Sequence, residues 1–240
     1  MEKMFKGKVV CVALNDSEQR QVMAEAFNEP PYKAPPTQPV LYFKPRNTWN
    51  NESEAVTWPA DSDEFVVGAS LAVIIGQTCC RVSEQQALEY VEGVALLHDF
   101  SLPETSYYRP DIKGKCLDGS ATLSSPVTLS DVGELSDLVV TTMVNGQPAQ
   151  QLPLSRLYWD VPALLERISH IMTLEAGDII AVGFAGERIA LQPYDKVSST
   201  VTESSTVNKS STVNKSSTVG DVTRSAPFIS LQNTVGGQYA

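Results

Sequence analysis

The run Leu71-Ala72-Val73-Ile74-Ile75, closed by Gly76, constrains this chain more than any other stretch. Five consecutive apolar residues, rich in Val and Ile and without polar alternation, read as a strand covered on both faces. A half-exposed strand would alternate. The next element is predicted to be a helix: Ser83 with Gln86 three residues on has the spacing of a capping box, and Ala87, Tyr90, Val91 and Val94 recur at helical intervals. On this reading the helix delivers Asp99 to the loop behind it.

Around this centre the remaining elements are short. Lys8 to Leu14 reads as a first strand, broken by Asn15-Asp16-Ser17, which can cap a short amphipathic helix from Glu18 to Phe27. Five prolines between Pro30 and Pro39 forbid regular helix. Further strands are predicted at Val40 to Phe43, Ser124 to Leu129, Leu138 to Val144 and Ile179 to Val182. Asn145-Gly146 is the strongest hairpin signal in the chain, so Thr141 to Val144 should return through Gln147 to Gln151. A helix begins after Asp160 and runs to about Met172, with Pro162 tolerated in its first turn. Strand-rich segments with few helices argue for an α+β fold and against alternating βαβ units.

The chain's character changes after Val197. Four hexads starting at Ser198, Ser204, Ser210 and Ser216 each open Ser-Ser-Thr-Val. A period of six places every Val on one face of an extended strand, which would suit a β-ribbon or an edge strand. The same composition also suits a poorly ordered Ser/Thr-rich tail. The domain division expected from sequence is therefore 1–197 for the folded unit and 198–240 for a partly ordered or edge-strand tail.

A formal charge of -10 argues against a nucleic-acid partner, because phosphate binding wants a basic surface. No stretch has the roughly 18 apolar residues a membrane span needs. Cys11, Cys79, Cys80 and Cys116 lack metal-type spacing and are read as reduced thiols. Together with a basic amino terminus lacking a small-residue cleavage pattern, these features lead us to expect a cytoplasmic protein.

The motifs carry more than composition does. The order Ile-Ile-Gly at 74 to 76, Val-Ser-Glu at 82 to 84, His98-Asp99, Lys113-Gly-Lys-x-x-Asp-Gly119 and Asn145-Gly-x-x-x-Gln resembles the fumarylacetoacetate hydrolase family. Val12-Ala-Leu-Asn15, the 26–36 stretch Ala-Phe-Asn-Glu-Pro-Pro-Tyr-Lys-Ala-Pro-Pro, Phe43-Lys-Pro-Arg-Asn-Thr48 and Ser101-Leu-Pro-Glu-Thr-Ser-Tyr-Tyr-Arg-Pro110 point to a branch of it, the amino-terminal half of bifunctional isomerase/decarboxylases. The resemblance spans about residues 8 to 197. It implies a mixed β-roll or sandwich with short flanking helices, paired with an identical chain or with a metal-bearing homologous subunit. It further implies decarboxylation of 5-oxopent-3-ene-1,2,5-tricarboxylate and isomerisation of 2-hydroxyhepta-2,4-dienedioate through a shared dienolate, in the degradation of 4-hydroxyphenylacetate. The alternative is a metal-less, non-catalytic homologue that scaffolds or regulates an active sister.

The family holds Mg2+ or Mn2+ on three carboxylates: a Glu-x-Glu before the Ile-Ile-Gly strand, and an Asp. In this chain Gly68 and Ser70 stand at the two Glu positions, and Asp99 alone matches. A hard divalent ion needs charged oxygen ligands, so a metal is expected to be absent or weakly held. The family's lid histidine is missing too, with Gln19 nearest its place, and Phe184 replaces a Thr near the ligand. The groups that survive are basic. Lys44, Arg109 and Lys115 stand where relatives face substrate carboxylates and the enolate oxygen, and cations suit a di- or tricarboxylate substrate. Candidate catalytic groups are thus Lys115 and His98; candidate substrate-binding groups are Lys44, Arg109, Lys115 and Gln151. His98 could also be a packing residue, and His170 is read as structural or exposed.

Overall fold

The computed structural model describes residues 6–52, 54–204 and 227–237. In chain order its elements are β1 (Val9–Ala13), α1 (Ser17–Val22), β2 (Val40–Lys44), β3 (Trp49–Asn50), β4 (Val66–Ile75), β5 (Val91–Ser101), α2 (Ile112–Lys115), β6 (Ala121–Leu123), α3 (Leu129–Val132), β7 (Leu138–Val144), β8 (Gln147–Pro153), α4 (Val161–Ile171), β9 (Ile179–Ala181), β10 (Ile189–Ala190), β11 (Lys196–Glu203) and β12 (Ile229–Thr234). One sheet runs β2-β1-β9-β4-β5-β6-β3, with β10 also on β4, and curls into a half-barrel; the second runs β12-β11-β7-β8. The α+β expectation holds.

The long antiparallel pair β4 and β5 is the spine. Its register sets Leu71 opposite Leu96, Ala69 opposite His98 and Gly68 opposite Asp99. Side chains alternate between faces, so Leu71, Val73, Val94 and Leu96 enter the larger core with α4 and the second sheet. Ala72, Ala95 and Leu97 turn into the half-barrel, against Cys11, Ala121, Leu123 and Phe184. Both faces are covered, as the unbroken apolar run demanded.

The predicted helix after Ser83 is not formed. Glu84–Tyr90 is a 3-10 segment and Val91–Ser101 is strand, so Asp99 lies inside a strand rather than in a turn. The Ser83 hydroxyl meets the Gln86 side chain at 3.0 Å and caps no backbone amide. Val91, Val94 and the apolar residues after them suit a covered strand, and β4 needs a neighbour along its whole length. Gly93 belongs to this arrangement: a Cβ there would sit 2.4 Å from the Val127 carbonyl oxygen.

Three smaller expectations also change. The 18–27 helix ends at Val22, which is 85% exposed, and only Phe27 beyond it is buried, so no amphipathic face forms. Asp16 caps it by accepting from the Glu18 amide at 3.1 Å. Strand β6 lies at 121–123 rather than 124–129, since Pro126 cannot donate to a ladder and Leu129 opens α3. The shift in composition at 197/198 is no break in the fold: the first hexad lies within β11, an interior strand between β7 and β12 that buries Val201. Apart from Ser204, the later hexads lie outside the described residues.

The Asn145-Gly146 hairpin and the Asp160 helix stand as read. Asn145 and Gly146 take φ of 51° and 77°, and Thr141 pairs Gln151. The Asp160 carboxylate accepts from the Ala163 amide at 2.9 Å. All four cysteines are free thiols, with Cys80 exposed.

Candidate functional site

Inside the half-barrel, β2 and the segment leading into β10 bring side chains to one buried carboxylate on β5. Asp99 is fully buried. One oxygen lies 2.8 Å from Lys44 Nζ; the other accepts from Tyr42 Oη at 2.6 Å and lies 3.1 Å from Arg188 Nη2. Arg188 also donates to Tyr42 Oη at 2.9 Å and stacks its guanidinium 3.9 Å from the Phe184 ring centroid. Lys115 sits beside this group, 3.2 Å from Glu104 and 5.1 Å from the centre of the Tyr42 ring.

Lys44 is the last residue of β2, and its ammonium is sealed. Its three protons are accounted for by Phe100 O at 3.1 Å, Lys115 O at 2.8 Å and Ser120 Oγ at 2.8 Å. Asp99 Oδ1, 2.8 Å away, takes the charge of this same ammonium.

Burial works against the Asp99 charge, yet Lys44, Arg188 and Lys115 outweigh it and hold the carboxyl well below the usual carboxylate range. Burial and the neighbouring Arg188 lower the Lys115 pKa, opposed by Asp99 and Glu104. Burial also raises Glu104, opposed by Lys115. Both partners of that pair are pushed toward neutrality despite their contact, because desolvation costs each of them more than the pairing returns.

Above the cluster opens a cleft of about 730 Å³, walled by Asp16, Glu18, Gln19, Glu104, Tyr107 and Arg188 among others. Gln19 donates to Tyr107 Oη at 2.9 Å and to Gly186 O at 3.1 Å. Gln151 lies on the exposed rim, 3.3 Å from Thr141 Oγ1. Arg109 stays exposed on the loop before α2, with no ion pair to Asp99, so it does not join the cluster.

His98 is not at this site. Neighbouring residues of a strand face opposite ways, so His98 points away from Asp99, between the two sheets. Its Nδ1 lies 2.7 Å from Asn233 Oδ1 and its Nε2 2.8 Å from Ser199 Oγ. Fully buried there, it cannot reach the cleft. His170 is exposed and bonds Glu166 O at 2.8 Å.

The side chains present do not suit a divalent ion. Gly68 offers no ligand atom. The Ser70 hydroxyl donates to Leu71 O at 2.8 Å and accepts from the Gly183 amide at 3.3 Å. Asp99 is already matched by cations, and among the described residues no three His, Cys, Asp or Glu side chains gather to hold a metal. Arg188, Tyr42, Glu104 and Tyr107 were missed in the sequence. A carboxylate stripped of its metal requires some other counter-charge, and that was the available signal.

This half-barrel and its carboxylate position define a class of protein. The family model described as "Fumarylacetoacetate (FAA) hydrolase C-terminal" matches residues 8–214, and the chain belongs to that family. Among particular relatives, it is 41% identical over 193 residues to the 4-hydroxyphenylacetate degradation bifunctional isomerase/decarboxylase of Escherichia coli, over 80% of this chain and 44% of that protein. The chain thus spans less than half of that relative's length. Of solved structures, the 5-carboxymethyl-2-hydroxymuconate delta-isomerase from Mycobacterium smegmatis matches with a TM-score of 0.69 and 27% identity, over 82% of this chain and 73% of that one. A fumarylpyruvate hydrolase from Pseudomonas aeruginosa, solved with Mn2+ and pyruvate, shares the fold with a TM-score of 0.68 and 21% identity, over 81% and 84% of the two chains.

Proposed function

We propose that this chain is a subunit of a decarboxylase/isomerase acting on 5-oxopent-3-ene-1,2,5-tricarboxylate and 2-hydroxyhepta-2,4-dienedioate, paired with a homologous subunit that carries the divalent metal. The observation that carries the reading is the gathering of Lys44, Lys115 and Arg188 around Asp99 beneath one cleft, with Arg188 in the cleft wall. Asp99 and Glu104 offset two of these three cations, leaving the cluster beneath the cleft one positive charge in surplus. Support comes also from the kinship with the isomerase/decarboxylase.

In the decarboxylation, the bond to a carboxylate breaks, CO2 leaves, and the electron pair moves into a dienolate that is then protonated on carbon. Lys115, beneath the cleft and paired with Glu104 of its wall, is assigned the growing negative charge, because a cation there contributes most when that charge is largest. Arg188, in the cleft wall, offers its charge to a substrate carboxylate, while its Nη2 stays committed to Asp99 and Tyr42. Lys44 supports the floor from below and touches nothing in the cleft.

The experiment compares turnover of the dienedioate by the purified chain, by a metal-bearing homologous subunit, and by the two mixed, each with and without Mg2+. Metal-dependent turnover is expected only where the metal-bearing subunit is present, and to rise when this chain joins it. Metal-dependent turnover by this chain alone would overturn the proposal.

One observation favours a second reading, a scaffold without chemistry of its own: carboxylates of Asp16, Glu18, Glu64, Glu104 and Glu187 rim the cleft and oppose an anion's entry. Lys115→Ala in the mixed enzyme separates the two. Loss of a charge-assisted bond should lower kcat/KM by about 10-fold or more, whereas a scaffold would leave it unchanged.

A further inference from the structure

Gly68, at one of the two positions that lack the family's glutamates, adjoins both Arg188 and Asp99 in this fold. Three neighbouring strands carry the arrangement. Strand β10 pairs β4 with Ile189 opposite Val67 and Ala190 opposite Val66, so the next position along the same register sets Arg188 beside Gly68. On the far side of Gly68 stands Asp99 of β5. To reach Asp99, the Arg188 side chain must cross the β4 backbone at the one place where β4 has no side chain.

The crossing is tight. A Cβ built on Gly68 would lie 1.9 Å from Arg188 Nη1, 2.7 Å from its Cζ and 2.9 Å from Phe184 Cδ1. Gly68 thus serves here as an open crossing, with no left-handed backbone angle to require it. Phe184 backs the guanidinium from the other side. Arg188 Nη1 is buried without an acceptor, next to the point from which any side chain at position 68 would grow.

We propose that the Arg188 guanidinium is this chain's built-in substitute for the divalent ion of its relatives, admitted by the absence of a side chain at position 68 and balanced by Asp99. The site accordingly takes up no Mg2+ or Mn2+, and glycine at 68 and arginine at 188 are interdependent. Putting carboxylates back at 68 and 70 does not restore a metal site while Arg188 remains; removing Arg188 as well does. This rests on the family's carboxylate frame and not on the activity proposed above, and its tests read binding and stability rather than turnover.

Two measurements on the full chain decide it. In the first, free Mn2+ is tracked by electron paramagnetic resonance during titration. The wild-type chain and the Gly68→Glu/Ser70→Glu double variant should leave Mn2+ free to about 1 mM, and adding Arg188→Ala should tighten binding by about 100-fold or more. The second is a double-mutant cycle in thermal unfolding and holds even should the triple variant fail to fold. Gly68→Ala should lower Tm by about 5 °C or more beside Arg188, and by far less in the Arg188→Ala background. Tight Mn2+ binding by the wild-type chain, or an equal cost of Gly68→Ala in both backgrounds, overturns the proposal.

Discussion

At the scale of single residues, Lys44 is an ammonium enclosed by protein on every side, and its worth lies in what would be stranded without it. Replacing it by Met keeps much of the stem's volume but deprives Phe100 O, Lys115 O and Ser120 Oγ of a donor and Asp99 of a counter-charge. Removing one partner of a buried ion pair costs roughly 3–5 kcal/mol, so Lys44→Met should lower the free energy of urea unfolding by about that much. A loss under about 1 kcal/mol would mean that Arg188 alone suffices for Asp99. Asp99, Lys44 and Lys115 each lie in a local motif that draws the eye, but the motif does not say that Lys44, expected to bind substrate, is sealed away from the cleft. Arg188 was not legible, since its role depends on a strand pairing between distant parts of the chain and on an empty Cβ position opposite. Arg109 misled for the complementary reason: a motif match says nothing about which way a loop turns its side chain.

At the scale of elements, legibility tracked how local the determining interaction is. The Asn145-Gly146 turn needs only two residues able to take positive φ, and the α4 start needs only an oxygen placed for the next turn's amide. Asp160→Ala should accordingly cost about 1 kcal/mol in unfolding free energy, and an unchanged midpoint of denaturation would deny the cap its role. The stretch after Ser83 was misread because Ala87, Tyr90, Val91 and Val94 fit a helical stripe as well as a covered strand. The choice between them was made by β4, whose long buried edge takes up β5 along ten paired positions. The hexad at Ser198 forms the extended strand that its period of six allows, and partners on both sides make it interior rather than an edge.

At the scale of the whole molecule, the described residues form two sheets, and a polar chain joins them through His98. Thr142 of β7 meets Ser199 of β11 at 2.9 Å; Ser199 meets His98 of β5; His98 meets Asn233 of β12, which also accepts from Thr122 of β6 at 2.7 Å. Asn233 Oδ1 can only accept, so the imidazole proton belongs on Nδ1 and Nε2 takes the Ser199 hydroxyl hydrogen. This wiring has no use for a second proton. Burial pushes the His98 pKa down to about 4, against a partial upward pull from Asn233. An unfolded imidazole titrates near 6.5. Above that pH neither state is charged at this group and its contribution is complete. As pH falls from 6.5 the unfolded chain binds a proton that the folded chain refuses, and stability drops until the folded imidazole also protonates near 4. The expected loss from this group is roughly 3 kcal/mol over that window, part of it overlain by carboxylate titration. Subtracting the same curve for His98→Gln, which removes the titration while retaining an amide between the sheets, isolates it. Wild type should be the more stable near neutrality, with its advantage shrinking steadily between pH 6.5 and 4. Parallel stability curves for the two chains across that range would mean that the imidazole accepts its proton inside the fold, and that the junction between the sheets tolerates charge.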